Sequence, residues 1–236
     1  MTITTTGHAH MEMDKIREMA EKALENGFQV CVHAIGDRAN REVLDQYEAA
    51  FAKYPKEAGD ARFRIEHAQH LHPEDIPRFA QLGVIASIQG IHHASDRPWA
   101  IHRLGLERIV NGAYVWQDLM RTGAKVINGT DAPVEPVSAV NCFYASVTRK
   151  TLEGTPEGGY EPKQCMNREE ALASYTRDAA YGIFQENEKG TIQPGKWADF
   201  SVFSQDLLQV PEEELLDTEV IMTIVGGVVR YQKQGK

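Results

Sequence analysis

Apolar residues recur along the chain in two alternating rhythms. Phe28–His33, Arg62–His67, Val84–Gln89 and Lys125–Thr130 are short runs rich in β-formers and read as strands. Each is followed by apolar positions three and four residues apart, the spacing of one buried helix face. Ala39, Val43, Leu44, Tyr47, Ala50 and Phe51 follow the first run. Ile76, Phe79 and Leu82 follow the second, with Pro73 near the first turn and Gly83 as the stop. Val115, Trp116, Leu119 and Met120 follow the third and close at Gly123; a helix around Ser138–Thr148 follows the fourth. Another helix precedes the first strand, with Ile16, Met19, Ala20, Ala23 and Leu24 on one face and Asn26–Gly27 at its end. Strands alternating with helices predict an α/β fold with a parallel sheet, either open and doubly wound or part of a (β/α)8 barrel.

From Gly154 onward the pattern changes. Gly154–Gln164 is rich in Gly, Pro and Glu and reads as a loop, and Asn167 to about Glu186 reads as one helix. Ala198–Phe203, Val220–Val225 and Val228–Gln232 read as strands, the last two joined by Gly226–Gly227, a hairpin signal. The pattern divides the chain into a βα region, 1–189, and a small all-β segment, 190–236.

Charge and composition then narrow the classes. With 25 Lys and Arg against 34 Asp and Glu, the net charge is −9, and no basic run is present. Such a chain is a poor candidate for sequence-independent nucleic-acid binding, whose affinity rests on neutralising phosphates, and no nucleic-acid partner is expected. No apolar run approaches the ~20 residues of a membrane helix. Met1–Gly7 is polar with no apolar leader core behind it. Cys31, Cys142 and Cys165 are odd in number and far apart, as reduced thiols are, so the expected compartment is the cytoplasm. There is no glycine-rich phosphate loop.

The candidate chemistry lies where the strands end. His33 ends the first, Glu66–His67 the second, Gln89 the third with His92 and His93 just beyond, and Thr130–Asp131 the fourth. In a parallel α/β sheet these ends lie on one side, where active sites are assembled. Two imidazoles and a carboxylate make the ligand set of a catalytic zinc centre with one position left for water. Asp131 would there be ligand and proton acceptor together. Each residue also has a plainer reading: His33 as a loop residue, His67 as one of the run His67, His70 and His72, Asp131 as a turn or helix cap before Ala132–Pro133. Three such residues at three separate strand ends favour a shared site. His8-Ala-His10 has ligand spacing but stands in a short polar end and reads as frayed chain. Gly90–Asn111 reads as a long loop, either a substrate-contacting one or a solvated insertion. Gln89, His92 and Arg97 are the candidates for substrate contact.

Several segments resemble the amidohydrolase superfamily, in particular its N-substituted formamide deformylase-like group. They are Val32–Asn40 (Val-His-Ala-Ile-Gly-Asp-Arg-Ala-Asn), Arg64–Gln69 (Arg-Ile-Glu-His-Ala-Gln), Ala86–Gln89, Gly129–Pro133 (Gly-Thr-Asp-Ala-Pro) and Gly190–Phe200. The resemblance runs from about residue 14 to the end. It implies a (β/α)8 barrel carrying a small β-sandwich, with His33, His67, Gln89 and Asp131 on the fifth to eighth barrel strands. It implies that His33 and His67 are metal ligands and that Asp131 is both ligand and proton acceptor. The reaction implied is hydrolysis of an amide-like, non-peptide C–N bond of a small molecule by metal-activated water. Zinc suits these ligands best, and iron or manganese also fit.

The family's HxH pair on its first barrel strand, and its Lys or acidic ligand from the fourth, have no counterpart before His33. A whole barrel takes ~250 residues, so the expectation is the C-terminal half of such an enzyme. Half a barrel leaves strand edges and apolar faces open, which predicts a homo-oligomer or pairing with a missing N-terminal half. The alternative function is a catalytically incomplete half-barrel that binds metal weakly or only a partner chain.

Overall fold

The computed structural model describes residues 7–234. The polar stretch read at Met1–Gly7 lies, except for Gly7, outside them. In chain order the elements are α1 (Met13–Asn26), β1 (Cys31–Ala34), α2 (Asp37–Lys53), α3 (Pro55–Ala58), β2 (Arg64–His67), α4 (Ile76–Leu82), β3 (Ile85–Ile88), α5 (Gly90–Leu104), α6 (Leu106–Gly112), α7 (Trp116–Arg121) and β4 (Val126–Asn128). They continue with α8 (Ala139–Thr148), α9 (Arg168–Tyr175), α10 (Arg177–Tyr181), β5 (Phe200–Phe203), β6 (Val220–Val225) and β7 (Val228–Gln232). This is a mixed α/β fold with one sheet in the order β1-β2-β3-β4 and another in the order β5-β6-β7. The chain divides into two compact units, one of residues up to 88 with 99–126, the other of 89–98 with 127 onward.

In the first unit β1, β2 and β3 pair in parallel, with His33 opposite Glu66, Ala34 opposite His67, and Glu66 opposite Ser87. β3 is buried along its whole length, as a strand covered on both faces must be. Val43, Leu44, Tyr47 and Ala50 form the buried face of α2. The Tyr47 ring lies 5.1 Å from Phe63, and its hydroxyl donates to the Arg64 carbonyl at 3.0 Å. Losing a buried ring such as Phe63 typically costs ~3–5 kcal/mol, so this aromatic contact anchors β2 firmly under α2. Asp75, only 1% exposed, accepts from Arg41 Nε at 2.8 Å and Arg78 Nη1 at 3.1 Å, tying α4 to α2. α1 and α4 stop at Gly27 and Gly83, whose φ of 70° and 66° suit glycine at a left-handed cap.

In the second unit β5, β6 and β7 are antiparallel. Gly226 and Gly227 both have positive φ, 58° and 76°, as a two-residue hairpin turn of the primed type requires. The hairpin expected there is present.

Four expectations are corrected. Gly90–Asn111 is not a loop: it is helical through α5 and most of α6. Ile91, Ala94, Arg97 and Ala100 are buried at three-residue steps, a helical rhythm hidden by the surrounding His, Asp and Arg and by Pro98 inside the helix. The stretch Asn167–Glu186 is two helices, α9 opened by a capping box of Asn167 and Glu170, and α10, separated at Thr176 where φ and ψ are −121° and −90°. Met19 is 52% exposed rather than on the inner face of α1, because burial there follows Ile16, Ala20, Ala23 and Leu24. The strands are also shorter than their apolar runs; Phe28, for instance, lies outside β1 and is exposed. Among the described residues no helix is long and apolar enough to cross a membrane.

His70 gives the first unit a pH-dependent stability. Its ring stands edge-on to Tyr114 with centroids 5.4 Å apart, and burial, aided by the Arg108 guanidinium, pushes its pKa down to about 4. Unfolded chain takes up that proton near the ordinary ~6.5, so the unfolded state binds more protons between the two values. The contribution is fully present above pH ~6.5 and is lost as the pH falls toward that of the folded group. Urea midpoints measured from pH 7 to pH 4 should therefore decline less in His70→Gln than in the parent chain. Parallel declines would mean that other groups govern acid sensitivity.

Candidate active site

In the first unit, the parallel register sets His33 and His67 at neighbouring strand ends. Their ring centroids are 4.5 Å apart and their planes meet at 75°, edge to face. His33 is exposed, whereas His67 is 9% exposed. His67 and the following Ala68 have φ of 78° and 43°. Left-handed backbone at non-glycine residues costs on the order of 1 kcal/mol or more each and persists where surrounding structure enforces it, often at functional sites. Nearby, the buried Nδ2 of Asn40 lies within hydrogen-bond distance of the carbonyls of Ala34 (3.1 Å), Gly36 (2.9 Å) and His70 (3.3 Å). One side chain thus joins the loops that leave β1 and β2. Behind them Arg64 and Glu66 form an ion pair at 2.8 Å. His33 also lines a 670 Å³ depression with Val30, Val32 and Ile35, and His8 and His10, both exposed, border the same depression.

In the second unit, Asp131 follows β4 and is likewise left-handed, with φ 56°. Its carboxylate, 39% exposed, has Oδ2 4.0 Å from Nε2 of His92 in the first turn of α5, beyond hydrogen-bond reach. Gln89 is buried just ahead of α5, and its carbonyl accepts the His92 N–H at 3.2 Å. Arg97 is engaged with Glu161: Nε and Nη2 reach the carboxylate at 3.1 and 2.6 Å, and the guanidinium lies 4.5 Å from the Tyr160 ring centre. Arg149, fully buried, donates from Nε to the Tyr160 carbonyl at 2.7 Å and approaches the same carboxylate at 3.5 Å. His93 lies beside this cluster, 5.9 Å from the Tyr160 ring; burial first, then the charges of Arg149 and Arg97, hold its pKa well below the usual value.

Sequence reasoning missed Asn128, Ser95, Glu135, Arg149 and Glu161. Asn128 Oδ1 accepts from the Gly90 N–H at 2.9 Å and Nδ2 donates to Ser146 Oγ at 3.1 Å; a polar side chain at a strand end, three residues before Asp131, was the available signal. Glu161 stands 64 residues from Arg97 in an aperiodic stretch, which carries no local signal at all. The first unit offers two imidazoles and the second a carboxylate and an imidazole. These nitrogen and oxygen donors fit zinc or a similar divalent cation, and the carboxylate can accept a proton from water.

Arg97→Ala would remove both hydrogen bonds and the ring contact and leave Glu161 to Arg149 alone. The expected cost is about 3 kcal/mol, read from urea unfolding, together with faster hydrogen exchange across residues 149–161. Exchange as slow as in the parent would show that Arg149 suffices to hold that segment.

The sequence profile of the amidohydrolase family matches residues 1–231. The chain is 34% identical over 230 residues to the putative amidohydrolase YtcJ of Bacillus subtilis (strain 168), covering 98% of this chain and 42% of that protein. It is 27% identical over 233 residues to N-substituted formamide deformylase of Arthrobacter pascens, again 98% of this chain and 42% of the other. The crystal structure of an uncharacterized metal-dependent hydrolase from Pyrococcus furiosus matches with a TM-score of 0.73 at 31% identity, over 87% of this chain and 39% of that one. The chain spans about two fifths of the length of the curated relatives it matches. Matched over nearly its whole length, with histidines and an aspartate at its strand ends, the chain belongs to the amidohydrolase family.

Proposed function

We propose that this chain serves metal-dependent hydrolysis of an amide-like, non-peptide C–N bond in a small molecule. His33 and His67 act as imidazole ligands and Asp131 as both carboxylate ligand and proton acceptor. The observation that carries this reading is the edge-to-face contact of His33 and His67 at the ends of two parallel strands, in a chain of the amidohydrolase family. When bound, a divalent cation (zinc by ligand chemistry, with iron or manganese as alternatives) supplies Lewis acidity to water and to the substrate carbonyl. Asp131 takes a proton from the attacking water as the C–O bond forms. It returns that proton to the departing nitrogen as the C–N bond breaks, so that amide and water become carboxylic acid and amine. Gln89, His92 and Arg97 border the substrate, with the Arg97 guanidinium shared with Glu161.

The same family membership, with the strand order β1-β2-β3-β4, supports reading 1–189 as part of a (β/α)8 barrel. Exposed Val202, Val225, Val228, Val229 and Tyr231 support reading 190–236 as part of a β-sandwich whose sheet packs against further strands. β1 stands first in its sheet order; its outer edge would pair with a second copy or with an N-terminal half, which would also supply the family's remaining ligands. The free thiols suit a reducing compartment such as the cytoplasm.

The test is metal per chain by mass spectrometry on protein purified without chelators or a His tag, beside His67→Ala. Near one equivalent in the parent chain, lost in the variant, is expected. A parent chain without metal would overturn this reading in favour of a catalytically incomplete half-barrel that takes only a partner chain.

A further inference from the structure

The gap between His92 and Asp131 is 4.0 Å, too long for a hydrogen bond between them to fix their geometry. Asp131 lies in a stretch outside helix and strand, with left-handed backbone and a partly exposed carboxylate. Something else must hold the pair. On one side, two residues before His92, the Gly90 N–H donates to Asn128 Oδ1 at 2.9 Å, three residues before Asp131. On the other, three residues after His92, Ser95 Oγ donates to Glu135 Oε1 at 2.7 Å, four residues after Asp131. The two segments are therefore pinned to each other at both ends, with His92 and Asp131 between the pins. We propose that Asn128 and Glu135 are positioning residues that hold Asp131 in place against His92.

The two pins differ in character. The Asn128 pin is locked from behind. Asn128 Nδ2 donates to Ser146 Oγ at 3.1 Å, and that hydroxyl donates to the Cys142 carbonyl at 2.8 Å. Gly90 is seated so closely that a Cβ would meet Ser146 Oγ at 2.1 Å and the Cys142 carbonyl oxygen at 3.1 Å, so the start of α5 lies directly against α8. The Ser95–Glu135 pin is exposed to solvent and is the one that substitution can release without emptying a core. Groups that orient a metal ligand from behind typically change metal affinity ~10–100-fold when removed, and that is the scale expected here.

The inference rests on Asp131 being a metal ligand, and the experiment separates the two claims. Co²⁺ is titrated into the metal-free chain while its visible d–d absorption and thermal midpoint are followed. Glu135→Ala and Ser95→Ala should each weaken Co²⁺ binding by about 10-fold and alter the band, while the thermal midpoint stays near that of the parent. The double variant should be no worse than either single one, since both remove the same bond. Glu135→Gln, which keeps an acceptor oxygen, should restore affinity and spectrum. Asn128→Ala should weaken binding at least as much. If Asp131→Ala binds Co²⁺ like the parent, the ligand assignment itself fails. If Asp131→Ala loses Co²⁺ while the Glu135, Ser95 and Asn128 variants bind and absorb like the parent, the positioning inference alone is overturned. A loss with Glu135→Ala that neither Ser95→Ala reproduces nor Glu135→Gln repairs would also overturn it, because the effect would then belong to the charge of Glu135.

Discussion

Because β1 and β2 run parallel in a register that pairs Ala34 with His67, two imidazoles leave neighbouring strands almost level with each other. The rest of the first unit serves that register. A slip of one residue would send every side chain of β2 to the opposite face and place Glu66, not His67, at the strand end. Phe63 and the Tyr47 hydroxyl hold the start of β2 beneath α2, and Asn40 joins the loops at its far end. The aromatic contacts thus bear on one end of β2 and the buried amide on the loops at the other.

The second unit solves the corresponding problem with charge. Two buried guanidiniums close on the carboxylate of Glu161, and the Tyr160 ring lies against the Arg97 guanidinium. Such an assembly adds little net stability, since desolvation offsets most of the attraction, but removing one member is costly. Beside it, burial first and then the charges of Arg149 and Arg97 disfavour a third cation at His93, so that imidazole stays neutral. Arg149 and Glu161 are both left-handed.

Features fixed by neighbours in sequence were legible beforehand. Gly27 and Gly83 end their helices, Gly226–Gly227 turns its hairpin, and His33, His67, Gln89 and Asp131 fall at or just past strand ends. Helix α5 was not legible, because its buried face includes Arg97 and His93, which count as polar in any hydrophobic pattern, and because Pro98 signals a break that the helix tolerates. The division of Asn167–Glu186 at Thr176 was also hidden, since both halves share one helical rhythm. Partners such as Arg97 and Glu161, or Gly90 and Asn128, meet only once distant segments have folded. The pattern along the chain thus revealed where donors emerge, and tertiary hydrogen bonding decided what each one faces.

The three-stranded sheet leaves Val202, Val225, Val228, Val229 and Tyr231 open to water, a surface that in another chain would invite precipitation. Here the net charge of −9 supplies colloidal repulsion between copies. That protection is electrostatic and therefore shared by the whole solution: salt shortens its range and acid removes its source. Handling of this chain is accordingly governed by ionic strength and buffer choice, and concentrated stocks keep best at low salt and alkaline pH.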